Sequence, residues 1–237
     1  MQNNKRDKMK AAIMQPYLFP YLGYFQLIHA VDTFVIFDDV NFINRSFINR
    51  NSILVNNEKH LFSLELVKSS QNKLINQIEV GGNREKLLKT IQMAYKKAPF
   101  FCDIYPLLGN ILLHEENNLA VFLGQSIKKI SEFLGLKTQF IYSSDLNKDN
   151  KLSGQDKIIE ITKILNADTY INAIGGQSIY EKPEFKKNGI QMYFLNTKIT
   201  KYKQFTDEFV PNLSIIDIMM FNNSNQIKKM LNNHEFI

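Results

Sequence analysis

Residues 10–51 read KAAIMQPYLFPYLGYFQLIHAVDTFVIFDDVNFINRSFINRN, and this stretch decides the fold. The apolar run Lys10–Met14 predicts a short buried strand ended by Gln15-Pro16. Pro16 and Pro20 keep Tyr17–Leu22 out of any helix interior. From Gly23 the spacing of Phe25, Leu27, Ile28 and Val31 predicts a helix that ends near Asp32. Phe34–Phe37 is a second strand, and Asp38-Asp39 follow it directly. Strand, loop, helix, strand is a βαβ unit, right-handed when its strands are parallel. Open parallel sheets bind ligands outside the carboxyl ends of their strands. Two polar groups fall there: Gln15, Tyr17, Tyr21 and Tyr24 around one turn, and the Asp38-Asp39 pair.

Outward from this unit, Ser52–Val55 and His60–Leu66 read as a hairpin, because Asn56-Asn57 tolerates the positive φ of a tight turn. Residues 83–98 and 103–134 have helical spacing, punctuated by Pro99 and Pro106, with Gly135 as a C-terminal cap. The second half returns to alternation. Thr138–Tyr142 is a strand, and Ser153-Gly154-Gln155-Asp156 leads into a helix over Lys157–Leu165. Thr169–Ile174 is a strand ending in Gly175-Gly176. A short helix over Pro183–Lys187, a strand over Ile190–Leu195, a buried helix over Leu213–Phe221 and an Asn-rich tail complete the chain. The expected fold class is α/β: a Rossmann-like, mostly parallel sheet with an inserted β-hairpin and a helical segment over about residues 83–134. Residues 1–8 read as a disordered extension and 9–237 as one domain.

Composition narrows the function. No apolar run approaches the roughly 18 residues of a membrane span, and the polar start MQNNKRDK is no secretion signal. A single cysteine, Cys102, excludes an internal disulfide and fits a reducing compartment, so a cytoplasmic location is expected. The net charge of +6 would suit nucleic acid. However, the lysines are scattered, only four arginines are present, and no nucleic-acid-binding motif occurs. An anionic small molecule, such as a nucleotide-linked substrate, fits the charge at least as well.

Several residues can carry chemistry. Asp38-Asp39 either cap a turn or supply a carboxylate for a metal, a sugar hydroxyl, a substrate amine or general-base work. Neighbours on an extended chain point to opposite sides, so at most one of the two faces a pocket. Arg50, close to Arg45, either clamps a phosphate or carboxylate bidentately or pairs with Asp38 or Asp39. Gly175-Gly176 either lets backbone N–H groups approach a phosphate or makes a turn. No Walker loop and no Gly-x-Gly-x-x-Gly pattern is present, nor a Gly-x-Ser-x-Gly elbow. The four histidines lack metal-ligand spacing, and no metal is expected. His29 packs or caps the first helix, and Cys102, among aromatics, reads as a buried, inert thiol.

The run from Met14-Gln15-Pro16-Tyr17 through Phe19-Pro20-Tyr21-Leu22-Gly23-Tyr24-Phe25-Gln26-Leu27-Ile28 resembles the opening signature of the WbqC-like proteins. Asp38-Asp39-Val40, Asn49-Arg50-Asn51, the stretch Tyr95–Phe101, Tyr170-Ile171-Asn172, Gly175-Gly176 and Tyr180 extend the likeness over nearly the whole chain from Met9. Phe47 stands where a tryptophan is common in that pattern. The resemblance implies a role in bacterial O-antigen or surface polysaccharide synthesis: transfer of an acyl or aminoacyl (glycyl among them) group to the amine of a nucleotide-linked amino sugar. On this reading Asp38 or Asp39 is base or amine anchor, and Tyr24, Tyr21 and Asn49 are donors. Arg50 is the anion clamp. Gln15, Tyr17, Gly23, Asn51, Asn172, Gly175, Gly176 and Tyr180 contact substrate.

The donor is a coenzyme A thioester, an aminoacyl carrier (aminoacyl-tRNA included) or an acid activated with ATP. A weaker similarity to HIGH-motif nucleotidyltransferases such as pantothenate synthetase places Tyr21-Leu22-Gly23-Tyr24 where His-x-Gly-His would be. That keeps an ATP-dependent, adenylate-forming ligase as an alternative, beside a non-enzymatic sugar-nucleotide-binding protein.

Overall fold

A computed structural model describes residues 8–237, so the expected extension lies outside the described residues but for Lys8. In chain order the elements are β1 (Lys10–Met14), α1 (Leu22–His29), β2 (Thr33–Ile36), β3 (Arg50–Val55), β4 (Glu58–Ser63), β5 (Leu66–Val67) and β6 (Glu79–Val80). Then come α2 (Arg84–Tyr95), α3 (Phe101–Leu112), α4 (Leu119–Phe133), β7 (Gln139–Tyr142), α5 (Gly154–Ile164) and β8 (Thr169–Ala173). The chain ends with α6 (Lys182–Lys187), β9 (Gln191–Thr197), α7 (Ile215–Phe221), α8 (Ser224–Leu231) and β10 (His234–Phe236).

Six strands form the central sheet in the order β10-β9-β8-β1-β2-β7. All neighbours are parallel except β10, which runs antiparallel to β9. The chain therefore winds outward from β1 through β2 to β7, then crosses back to β8 on the other side of β1. The topological switch lies between β1 and β8, which is where a doubly wound sheet opens a crevice. The expected mostly parallel α/β sheet with its inserted hairpin is what the chain forms.

Strand alternation explains the two-sided core. Ala12, Phe34, Ile36 and Ile171 face the larger apolar layer, shared with α1, α7, α8 and the helical insertion. Ile13, Val35, Tyr170 and Phe194 face the smaller layer, beneath α5 and α6. All four residues of β2 are buried, as expected of a central parallel strand covered on both faces. No helix among the described residues is long and apolar enough to cross a membrane.

Three expectations need correction, and the tail, read only as Asn-rich, adds a helix and a strand. The helix expected over 103–134 is two, α3 and α4, because residues 113–118 find other partners. Arg84 donates to the carbonyls of His114 and Glu116, the Asn117 carbonyl accepts from Val80 N, and the Asn118 side chain caps α4. Pro106 lies inside α3 rather than ending a helix. Cys102, in the first turn of α3, is exposed rather than buried. The Asn-rich tail folds: Asn223 and Gln226 form a capping box at the start of α8, and β10 zips onto β9. The hairpin turn is as expected, with Asn56 and Asn57 at φ 50° and 65°.

Candidate functional site

The loop between β1 and α1 is over-determined. Phe19 is fully buried with φ at 42°, a left-handed conformation that costs about 1–3 kcal/mol and persists only where neighbours enforce it. The enforcement is visible. Asn51 Nδ2 donates to the Leu18 and Phe19 carbonyls at 3.1 and 2.8 Å, and Ser214 Oγ donates to the Phe19 carbonyl at 2.7 Å. Ile215 N donates to the Pro20 carbonyl, and Leu18 N to the Phe47 carbonyl.

What this rigid loop presents is aromatic. Phe47, 48% exposed, has its ring centroid 5.8 Å from that of Tyr17 and 6.1 Å from that of Tyr21. Burial, with the neighbouring Tyr21 second, pushes the Tyr17 phenol up to about 12, and burial raises that of Tyr21. Both therefore stay neutral hydrogen-bond donors at physiological pH. Tyr24 sits behind them in the core, its hydroxyl donating to the Gln15 carbonyl at 2.9 Å.

At the start of α1, Gly23 answers a close approach. A Cβ there would fall 2.4 Å from Thr197 Oγ1, at the end of β9, and 2.9 Å from the Tyr21 ring. Across the switch point, the short turn Ile174–Gly176 follows β8. A Cβ on Gly176 would fall 2.3 Å from Asn172 Nδ2, whereas Gly175 faces open space. Asn172 is buried, its Oδ1 accepting from Ala173 N. Tyr180 packs edge-on against Tyr170 and Phe185.

Beyond β2 the two aspartates part company. Asp38 is buried and accepts from Ser144 N at 3.0 Å, Ser144 Oγ at 2.6 Å and Asn76 Nδ2 at 3.2 Å. It stitches the β7 end and the insertion to β2. Asp39 Oδ2 instead meets two ammonium groups, Lys148 Nζ at 2.8 Å and Lys157 Nζ at 3.2 Å, with all three side chains at most 10% exposed. Burial raises the Asp39 carboxyl, but the Lys148 hydrogen bond and the two ammonium charges outweigh it and hold the carboxyl below its usual range. Lys157 also caps the Asp39 carbonyl at 3.1 Å and lies 5.3 Å over the Phe37 ring.

The hairpin residues do not join this cluster. Asn49 donates to the Leu64 carbonyl, and Arg50 donates to the Arg45 carbonyl. The alternative expected for Arg50, an ion pair with Asp38 or Asp39, is not formed; the lysines take that place. Lys148 and Lys157 escaped the sequence reading, which took the lysines as scattered surface charges. A signal existed, since Lys157 stands in the first turn of α5, where the helix dipole disfavours a cation unless a carboxylate compensates.

A strap formed by residues 198–213 runs beside the end of β9. It is fastened by Asp217, fully buried on α7, whose carboxylate accepts from Tyr95 at 2.8 Å, Tyr202 at 2.6 Å and Gln204 at 2.8 Å. Burial raises the Asp217 carboxyl against the lowering effect of those three donors.

Sheet order defines a doubly wound α/β protein with its candidate site at the strands' carboxyl ends. The chain belongs to the WbqC-like protein family, whose model matches residues 15–229. It is also similar to an uncharacterized protein of Mycobacterium tuberculosis, 26% identical over 216 residues, covering 89% of this chain and 92% of that one. No solved structure matches the chain.

Proposed function

We propose that the crevice binds a nucleotide-linked amino sugar and that the protein acylates its amine, in bacterial surface polysaccharide synthesis. The observation that carries this reading is the aromatic wall of Phe47, Tyr17 and Tyr21, held by a strained and multiply clamped loop beside the switch point. Sugar and base faces stack on such rings, and a wall whose backbone is fixed in advance loses little entropy when it binds.

The reaction joins the amine nitrogen to the acyl carbon, breaks the bond from that carbon to its carrier, and leaves the amine proton on the departing carrier. Asp39 is poorly matched to the role of base, because a general base works best with a pKa near the working pH and this carboxyl is held low. Its part is to pin Lys148 and Lys157, whose ammonium groups attract the diphosphate. The neutral Tyr21 phenol is the donor placed to stabilise the tetrahedral oxyanion. Tyr24 and Asp38, spent on internal hydrogen bonds, position the ends of β1 and β2.

Mass spectrometry of the purified protein incubated with nucleotide-linked amino sugars and a panel of acyl donors tests this. Support is a sugar nucleotide heavier by one acyl group and lighter by one hydrogen. If no donor yields that product, the transferase reading fails.

A further inference from the structure

Between the start of α1, the end of β9 and the strap lies a cavity of about 60 Å³. Its walls are mostly carbon, from Leu22, Phe209, Leu213 and Ile218, with the Thr197 hydroxyl near its Gly23 side. Three features bear on what it takes.

The first is size. A cavity of about 150 Å³ holds benzene, so by proportion this one holds about two or three non-hydrogen atoms. The second is charge. None of the residues that line it is acidic, and the nearby Asp217 carboxylate is occupied by Tyr95, Tyr202 and Gln204. An ammonium group there would meet only the neutral side chains of Thr197, Thr200, Tyr202 and Asn212, with no carboxylate among the lining residues to neutralise it, which is costly. The third is continuity. Tyr21 lines this cavity and also belongs to the aromatic wall, its ring 6.1 Å from Phe47. A group seated in the cavity therefore lies one side chain away from an acceptor stacked on that wall.

We infer that this cavity seats the alkyl part of the acyl group being transferred, so that the donor is a short, uncharged acyl such as acetyl or propionyl and not an aminoacyl group. This rests on the transferase reading and narrows it. Gly23 is then a specificity-determining residue, because a methyl group at its Cα would collide with Thr197 Oγ1 and the Tyr21 ring, both of which line the cavity, and force them to move.

The test uses the full chain with methyl-labelled leucine and isoleucine, titrated with N-acetylcysteamine thioesters bearing acetyl, propionyl, butanoyl, hexanoyl and glycyl groups. Expected are shifts of the Leu213 and Ile218 methyl resonances with acetyl and propionyl, at an affinity about tenfold or more above hexanoyl and glycyl. Ile218→Val, a mild enlargement, should bring butanoyl up to the affinity of propionyl, while Gly23→Ala should abolish the shifts. Equal response to all five thioesters, a preference for glycyl, or silence at Leu213 and Ile218 would overturn the assignment. Its failure is separable from that of the transferase reading. A protein that binds the amino sugar at Phe47 with a silent cavity loses only the acyl pocket. One whose cavity fills but which forms no amide loses the transferase.

Discussion

Asn51 Nδ2 reaches across from β3 to the carbonyl of Phe19 at 2.8 Å, and this bond links the inserted hairpin to the one left-handed residue in the β1–α1 loop. Asn51→Ala leaves the buried Leu18 carbonyl without that donor and Phe19 with Ser214 alone. The expected cost is about 1–3 kcal/mol, read from the urea midpoint, together with weaker binding of a sugar nucleotide as the Tyr17–Phe47 wall loosens. Asn49→Ala, two residues away and bonded to Leu64 instead, is expected to lower stability without changing that affinity.

Asp39 sets a pH dependence whose sign follows from its lowered pKa. The folded state holds this proton less tightly than the unfolded chain. The stabilisation is therefore complete above the ordinary carboxylate value of about 3.9 and is lost as the pH falls through the lowered one. The stability difference between the wild type and Asp39→Asn should be constant above about pH 4 and shrink as the pH falls below it. At neutral pH the variant, which leaves two buried ammonium groups without their carboxylate, should be less stable by about 3–5 kcal/mol.

Asp217→Asn replaces an acceptor of three hydrogen bonds by a group with one acceptor and two donors. A loss of about 3 kcal/mol is expected, with faster proteolysis within residues 198–213 as the strap comes free. Tyr202→Phe, which removes one of the three bonds, should show the same proteolytic pattern with a smaller loss. Equal protection of the strap in wild type and both variants would mean that Asp217 does not fasten it.

The glycine pair after β8 separates two roles. Gly175→Ala meets open space and should be nearly neutral. Gly176→Ala must displace the buried Asn172 amide and should cost about 1–3 kcal/mol, measurable as a fall in thermal midpoint with an altered Asn172 side-chain resonance.

The sequence disclosed the βαβ unit, the later strands and the carboxyl-end location of the polar loops, because apolar periodicity and proline placement are local signals. It disclosed less of the site because the decisive contacts are long-range. Asp38 and Asp39 are neighbours with identical side chains, and their divergence depends on Ser144 and Lys148, more than a hundred residues later. The Asn49-Arg50-Asn51 motif was conspicuous, yet of the three Asn51 alone supports the β1–α1 loop, through carbonyls that pattern reading cannot see. The split between α3 and α4 turned on Arg84, a helix-start residue whose side chain captures the carbonyls of residues 114 and 116. The missed α8 was legible after all, in the Asn223–Gln226 capping box.

Calorimetric titration of nucleotide-linked amino sugars into the wild type and Phe47→Ala tests binding at the aromatic wall. Saturable binding by the wild type is expected, with an affinity about tenfold lower once the exposed ring is gone, as loss of one stacking contact of about 1–3 kcal/mol implies. Undiminished affinity in Phe47→Ala, or no binding by the wild type, would contradict it.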